Sequence, residues 1–99
     1  MNQAEKLLRR MRQSLSGWGA NDFATLYTGF GFIAQEGSSH TIYVHGKHQD
    51  LRATVARHSA LAKGYTSHAI KTIDELKRRQ TEAAKVQEND DDEDTAPSE

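Results

Sequence analysis

Histidines are the residues of this 99-residue chain best suited to chemistry near neutral pH. Five are present, and four of them, His40, His45, His48 and His58, fall close together in the middle of the sequence. Imidazole has an unperturbed pKa of about 6.5, so it can take up or release a proton during a reaction, and its neutral form can bind a metal. The chain has no cysteine, which excludes disulfides and thiolate metal sites. The histidines therefore have two possible chemical roles, acid–base catalysis and metal binding.

Metal binding and nucleophilic catalysis are weaker interpretations of the same residues. His45 and His48 have a spacing that suits a metal, but they lie in a loop with no obvious third ligand. Ser38, Ser39 and Ser59 could act as nucleophiles, yet no nucleophile-elbow pattern surrounds them. We expect neither a metal nor another cofactor.

Cleavage of RNA is the reaction that fits such a histidine-rich stretch best. RNA supplies its own nucleophile, the 2′-hydroxyl beside the scissile phosphate. The protein has only to accept that proton, donate one to the leaving 5′-oxygen and hold the phosphate. Histidine can do the proton transfers near neutral pH, and no metal is required.

The stretch GFGFIAQEGSSHTIYVH, residues 29–45, carries a resemblance to a known family. Its Gly-Phe pair and its Gly-Ser-Ser-His, residues 37–40, resemble the central motif of the HicA family of toxin ribonucleases. Residues 55–58 resemble the family's Val-Pro-x-His, with Ala56 in place of proline, and residues 63–66 resemble its Lys-Gly-Thr entry into the last helix. The resemblance spans residues 20–77 and differs by an additional serine before the histidine.

The resemblance implies an endoribonuclease that cleaves mRNA and is neutralised by a HicB-like antitoxin protein. It implies a double-stranded-RNA-binding-like fold, with His40 as the catalytic histidine. Ser39 and His58 are candidates for supporting roles. The candidate RNA-binding residues are Lys47, Arg52, Arg57 and Lys63. Two alternatives stay open: a non-catalytic RNA-binding module of the same fold, which would tolerate loss of His40, and a protein-interaction domain that uses the C-terminal helix.

The hydrophobic pattern predicts an α+β domain with the element order α-α-β-β-β-α. Apolar residues recur at helical spacing within residues 3–15, 23–30 and 67–86, and β-formers fill the three short runs between them. Such a chain folds as a three-stranded antiparallel sheet with helices on one face. The predicted core contains Phe32, Ile42, Val44, Ile70 and Ile73. If Ile42 and Val44 face the helices, the alternation along the strand brings His40 to that side too.

Charge divides the chain into a basic body and an acidic tail. All 13 lysines and arginines precede residue 88, whereas residues 88–99 hold half of the 14 acids and no base. We expect a single domain over residues 1–87, with an anionic partner such as RNA, and a disordered acidic tail over residues 88–99. No apolar run approaches the length of a membrane span and no secretion signal is visible, so we expect a cytoplasmic protein without membrane contact.

Overall fold

The computed structural model describes the backbone of residues 1–95 and the side chains of residues 1–85. The elements are α1 (Gln3–Gln13), α2 (Ala20–Gly29), β1 (Phe32–Glu36), β2 (His40–His45), β3 (Arg52–Ala56) and α3 (Lys63–Thr95). The strands form one antiparallel sheet in the order β1-β2-β3, and the helices pack on one of its faces. This confirms the predicted α+β class and element order.

Capping interactions and amphipathic patterns explain where the first two helices begin. Asn2 caps α1 by accepting the Glu5 N–H at 2.8 Å, and the buried face of α1 includes Leu8 and Met11. Gly19 precedes α2, and the Asp22 carboxylate reaches back to accept the Gly19 N–H at 2.9 Å. These bonds satisfy backbone donors that a helix start leaves without partners.

The helix-facing side of the sheet is formed by Phe32 of β1, Thr41, Tyr43 and His45 of β2, and Ala53 and Val55 of β3. The prediction that Ile42 and Val44 face the helices is therefore wrong: both lie half-buried on the outer face, and His40 lies there with them. Aromatic packing explains why Tyr43 rather than Ile42 and Val44 faces the helices. The Tyr27 ring of α2 stacks on the Tyr43 ring, with 4.9 Å between the ring centroids. A tyrosine buries more apolar area than an aliphatic side chain, so this phase gives the larger hydrophobic gain.

The remaining predicted core positions divide between full and partial burial. Phe32 and Ile73 are buried as expected, whereas Ile70 is partly buried and packs against the rim of the core. The largest buried side chains include Phe23 and Tyr27 of α2. The core thus lies among the three helices and the inner face of the sheet.

Ion pairs fix α3 against both the sheet and α1. Arg79 binds Asp50, in the β2–β3 connection, with Nη2–Oδ2 at 2.7 Å and also binds Glu75. Lys77 binds Glu5 of α1 with Nζ–Oε1 at 3.0 Å. These contacts stop near residue 79, and residues 80–85 are all exposed.

The last helix differs from the prediction at both ends. It begins at Lys63 rather than Ser67, and its backbone continues through Thr95, into the segment for which the sequence predicts disorder. Residues 96–99 of the predicted acidic tail lie outside the described residues, and the domain boundary at residue 87 stays a prediction. None of the described helices is both long enough and apolar enough to cross a membrane.

Candidate functional site

His40 is an exposed residue at the start of β2, on the outer face of the sheet. Its Nδ1 lies 2.9 Å from the Ser39 hydroxyl oxygen, and its carbonyl accepts the Gly37 N–H at 2.8 Å. The Gly37–His40 backbone bond therefore closes the turn, and Nδ1 of the imidazole has a partner in Ser39. A ring held in this way leaves Nε2 directed away from the serine, available to exchange a proton with a ligand.

Arg57 connects this turn to the end of β3. Its backbone N–H donates to the Ser39 carbonyl at 3.3 Å, and its guanidinium donates to Glu36 Oε1 at 2.5 Å. The same carboxylate oxygen accepts the Thr41 hydroxyl at 3.0 Å. Because the Arg57 guanidinium already has an anionic partner, it can hold a phosphate only by sharing or leaving Glu36.

A cleft of about 650 Å³ opens on the opposite, helix-facing side of the same sheet end. It lies between the start of α2 and the segment after β3, and we call it the α2 cleft. Its polar lining includes Asp22, Glu36, Tyr43, Arg57, His58 and Ser59.

His58 lies in the wall of the α2 cleft, and its carbonyl accepts the Ala20 N–H at 2.9 Å. The structure thus brings Ser39, His40, Arg57 and His58 to one end of the sheet. The two histidines are on opposite sides of that end, since His40 is not part of the cleft lining.

The other predicted RNA-binding residues do not join this group. Lys47 follows β2 at the far end of the sheet, and Arg52 pairs with Val44, about 13 Å along the strand from His40 at roughly 3.3 Å per residue. Arg52 does share the outer face with His40. Lys63 is exposed at the first residue of α3. A ligand that contacted all of them would have to follow an extended path rather than enter one pocket.

His45 has a structural role rather than a place at the site. It is 6% exposed, and its Nδ1 accepts the N–H groups of Lys47 and His48 at 3.1 and 3.2 Å. Burial lowers the pKa of His45, the nearby His48 and Lys47 lower it further, and a hydrogen bond with the backbone of Phe30 partly offsets this. Since Nδ1 already accepts two bonds, the ring does not offer that lone pair to a metal. In the part of the chain with described side chains, no three histidine, aspartate or glutamate side chains cluster as metal ligands do.

Sequence reasoning missed Glu36 and Tyr43 as residues of this region. Glu36 lies in a turn-flanking position, where a carboxylate is common and carries no motif. Tyr43 was expected on the solvent-facing side of β2, because Ile42 and Val44, on the other side of the strand, are also apolar. The one available signal was the aromatic set on α2, whose Phe23 and Tyr27 prefer aromatic partners on the sheet.

Comparison with known proteins gives no relative: no protein-family model, curated protein or solved structure matches the chain.

Proposed function

We propose that this chain is an endoribonuclease of the HicA kind, which cleaves mRNA by histidine acid–base catalysis without a metal. The observation that carries the proposal is the setting of His40: an exposed ring at the start of a strand, with Nδ1 beside the Ser39 hydroxyl and no partner for Nε2 among the described side chains. This is the arrangement that a proton-transferring histidine needs. The resemblance of residues 29–45 to the HicA motif supports the same residue.

In the proposed reaction the 2′-oxygen of RNA attacks the adjacent phosphorus, and the bond from phosphorus to the 5′-oxygen breaks. His40 Nε2 accepts the 2′-hydroxyl proton or donates one to the leaving oxygen. Arg57 is bonded to the Ser39–His40 turn through its backbone N–H, and in the proposed reaction it steadies the phosphate by sharing its guanidinium with Glu36. In a cell, such an activity would need silencing, and we propose a HicB-like antitoxin that covers His40.

A non-catalytic RNA-binding module is the second candidate function. The dispersal of Lys47, Arg52 and Lys63 over the molecule favours it, because scattered cations suit contacts along a nucleic-acid backbone. Both candidates predict salt-dependent RNA binding. Only the enzyme requires His40 for turnover of bound RNA.

Cleavage of single-stranded RNA in the presence of EDTA tests the proposal. We expect His40→Ala to lower the cleavage rate by about 10²–10⁴-fold, the usual contribution of a general acid or base, while RNA binding survives. His68→Ala is the matched control, because His68 is also exposed but lies on α3 and bonds to the Arg52 carbonyl. A substrate with a single 2′-deoxy sugar at the cleavage point should be bound and not cut. Undiminished cleavage by His40→Ala, or loss of wild-type cleavage in EDTA, would contradict the mechanism.

A further inference from the structure

The α2 cleft is a second place on the molecule where a ligand can be enclosed. Its volume of about 650 Å³ lies within the range typical of small-molecule sites, roughly 300–1,000 Å³. Its wall is built from three separate parts of the chain, the start of α2, the inner face of β1 and β2, and the segment after β3. The proposed reaction at His40 uses Arg57 and Glu36 of this lining but gives no role to the rest of the cleft.

A buried hydroxyl in the cleft has no protein partner. Tyr43 is 3% exposed and lines the α2 cleft, and among the described residues its hydroxyl makes no hydrogen bond. A buried hydroxyl without a partner is costly, so the Tyr43 hydroxyl would gain from a hydrogen bond to a ligand in the cleft that it lines. Burial raises the pKa of Tyr43, Glu36 raises it further and Arg57 opposes them, so the hydroxyl keeps its proton and can donate it to a ligand.

The charged groups of the cleft favour a ligand that donates hydrogen bonds. Two carboxylates, Asp22 and Glu36, face one guanidinium, that of Arg57. Both hydrogen bonds to Glu36 go to Oε1, and within the described residues nothing donates to Oε2. Asp22 likewise accepts the Gly19 N–H with Oδ2 alone. A carboxylate oxygen without a donor repels an anion and accepts N–H groups.

We propose that the α2 cleft binds a guanine base. The Watson–Crick edge of guanine carries two adjacent donors, N1–H and N2–H₂, next to the O6 acceptor. Both donors can share the free oxygen Oε2 of Glu36, where uracil would offer a single donor, and O6 can accept a hydrogen bond from the Tyr43 hydroxyl. Adenine has an acceptor at N1 in place of the donor, so it would turn a lone pair towards the carboxylate.

For its biological meaning this inference rests on the proposed function. Arg57 connects the His40 turn with the α2 cleft, since its backbone N–H is bonded to that turn while its side chain lines the cleft. An unpaired guanine beside the scissile phosphate would then be held on the helix-facing side while His40 acts from the outer side. The cleft would thereby give the ribonuclease a preference for cleavage next to guanine.

Mononucleotide binding tests the inference without reference to cleavage. The amide signals of the ¹⁵N-labelled full-length protein are followed while 5′-GMP, 5′-AMP, 5′-CMP or 5′-UMP is added at equal concentrations. The four ligands share ribose and phosphate, so a difference between them reports the base. We expect 5′-GMP to bind most tightly and to shift the amides of Asn21, Tyr43 and His58.

Two tyrosine variants form a matched pair for this experiment. Tyr43→Phe and Tyr27→Phe each remove one hydroxyl from a buried ring, and the two rings stack on each other at 4.9 Å, but only Tyr43 lines the cleft. We expect Tyr43→Phe to weaken 5′-GMP binding about three- to tenfold, the worth of one neutral hydrogen bond, and Tyr27→Phe to leave it unchanged. Should Tyr43→Phe fail to fold, Glu36→Gln gives the same test at an exposed residue.

The outcomes separate this inference from the proposed function. Equal shifts with all four nucleotides, or shifts outside the α2 cleft, overturn the guanine site even if the protein cleaves RNA. Binding of 5′-GMP that survives in His40→Ala and weakens in Tyr43→Phe supports the site even if no RNA is cleaved.

Discussion

His40 and His45 begin and end the same strand, and their ring nitrogens show why they serve different purposes. His45 is enclosed, and its Nδ1 accepts two backbone N–H groups of the following turn. His40 is exposed, and within residues 1–85 its side chain bonds only to the adjacent Ser39. A histidine whose lone pair is already committed stabilises the fold, whereas one with a free nitrogen can exchange protons with a substrate. Sequence reasoning places His45 in a loop, whereas the structure makes it the enclosed last residue of β2. The catalytic role of His40 stays a prediction.

Ser39 is expected to position His40 through the bond to Nδ1. Ser39→Ala leaves the imidazole in place but removes the partner that selects its tautomer, so cleavage should fall about three- to tenfold, the worth of one hydrogen bond. The measurements are the rate of RNA cleavage and the affinity for RNA, because a bond that orients the imidazole should affect turnover and leave binding unchanged. Ser38→Ala is the control, since Ser38 is equally exposed in the same turn. An identical effect of the two variants would assign both to turn structure.

His45 should make the stability of the protein depend on pH between about 7.5 and 5.5. Its pKa is lowered in the folded state, mainly by burial, with His48 and Lys47 adding repulsion. The folded protein therefore binds fewer protons than the unfolded chain just below the ordinary pKa of about 6.5. The contribution of His45 is complete above that pKa and is lost as pH falls through the lower folded-state value.

His45→Asn isolates this effect, because an asparagine oxygen can replace Nδ1 as the acceptor but does not titrate. We expect the wild-type free energy of unfolding, measured by urea denaturation, to fall between pH 7.5 and 5.5. The variant should show a flatter dependence over that range. A slope equal to that of the wild type would assign the effect to other groups.

At the scale of the elements, the sequence predicts which segments are helices and strands better than it predicts which face each presents. Helical spacing and β-rich runs gave the correct order of all six elements. The phase of β2 could not be read from Thr41-Ile42-Tyr43-Val44, because both alternations carry apolar side chains. Packing against α2 decides it, and that is a tertiary interaction that no local pattern contains.

The first residues of the helices are also decided by packing that the local sequence does not reveal. Asn21 looks like a cap for α2, but Gly19 occupies that position because the Asp22 side chain reaches back to its N–H. For α3, Thr66 and Ser67 offer capping hydroxyls, yet the helix begins earlier, at Lys63, and Thr66 is buried inside it. A capping residue type marks a possible start, whereas the packing of the first turn selects the actual one.

Adjacent residues of β1 provide a test of the sheet faces. Phe32 is 3% exposed on the inner face, while Ile33 is 61% exposed on the outer face. Phe32→Ala should lower the free energy of unfolding by about 3–5 kcal/mol, because it opens a cavity against Tyr27. Ile33→Ala should cost about 0.5 kcal/mol or less, as exposed substitutions usually do. Urea denaturation of both variants measures the difference, and a larger cost for Ile33→Ala than for Phe32→Ala would mean that the strand presents its faces the other way.

At the scale of the whole molecule, α3 runs from one end of the sheet past the other. Lys63 begins the helix after the segment that follows β3, and Arg79 contacts Asp50 beside the β2–β3 connection, at the end of the sheet away from His40. With 33 residues the helix is about 50 Å long at 1.5 Å per residue, much longer than strands of five or six residues. Its far end therefore extends away from the proposed catalytic turn.

This direction places the backbone of residues 88–95 on the side of the molecule remote from His40. That backbone follows Arg79 along the helix, which puts it on the order of 30 Å from His40 by helix rise and strand length. Charges that far apart are screened at 0.15 M salt, where the Debye length is about 8 Å, but interact at 0.01 M, where it is about 30 Å. Any repulsion between the acidic segment and RNA at the catalytic turn must therefore depend steeply on salt.

Deleting residues 88–99 should tighten RNA binding at low salt and leave it nearly unchanged at physiological salt. The deletion removes half of the 14 acids and no base, so the remaining chain is more positive and attracts phosphate more strongly. The measurement is the dissociation constant for a short single-stranded RNA, compared for both proteins at 0.01 and 0.15 M salt. Replacing the seven acids of the segment with Gln or Asn in the full-length chain is the control for lost length. Equal affinity of both proteins at 0.01 M salt would leave the acidic segment without influence on RNA, whereas tighter binding at both salt concentrations would mean that the segment reaches the binding surface directly.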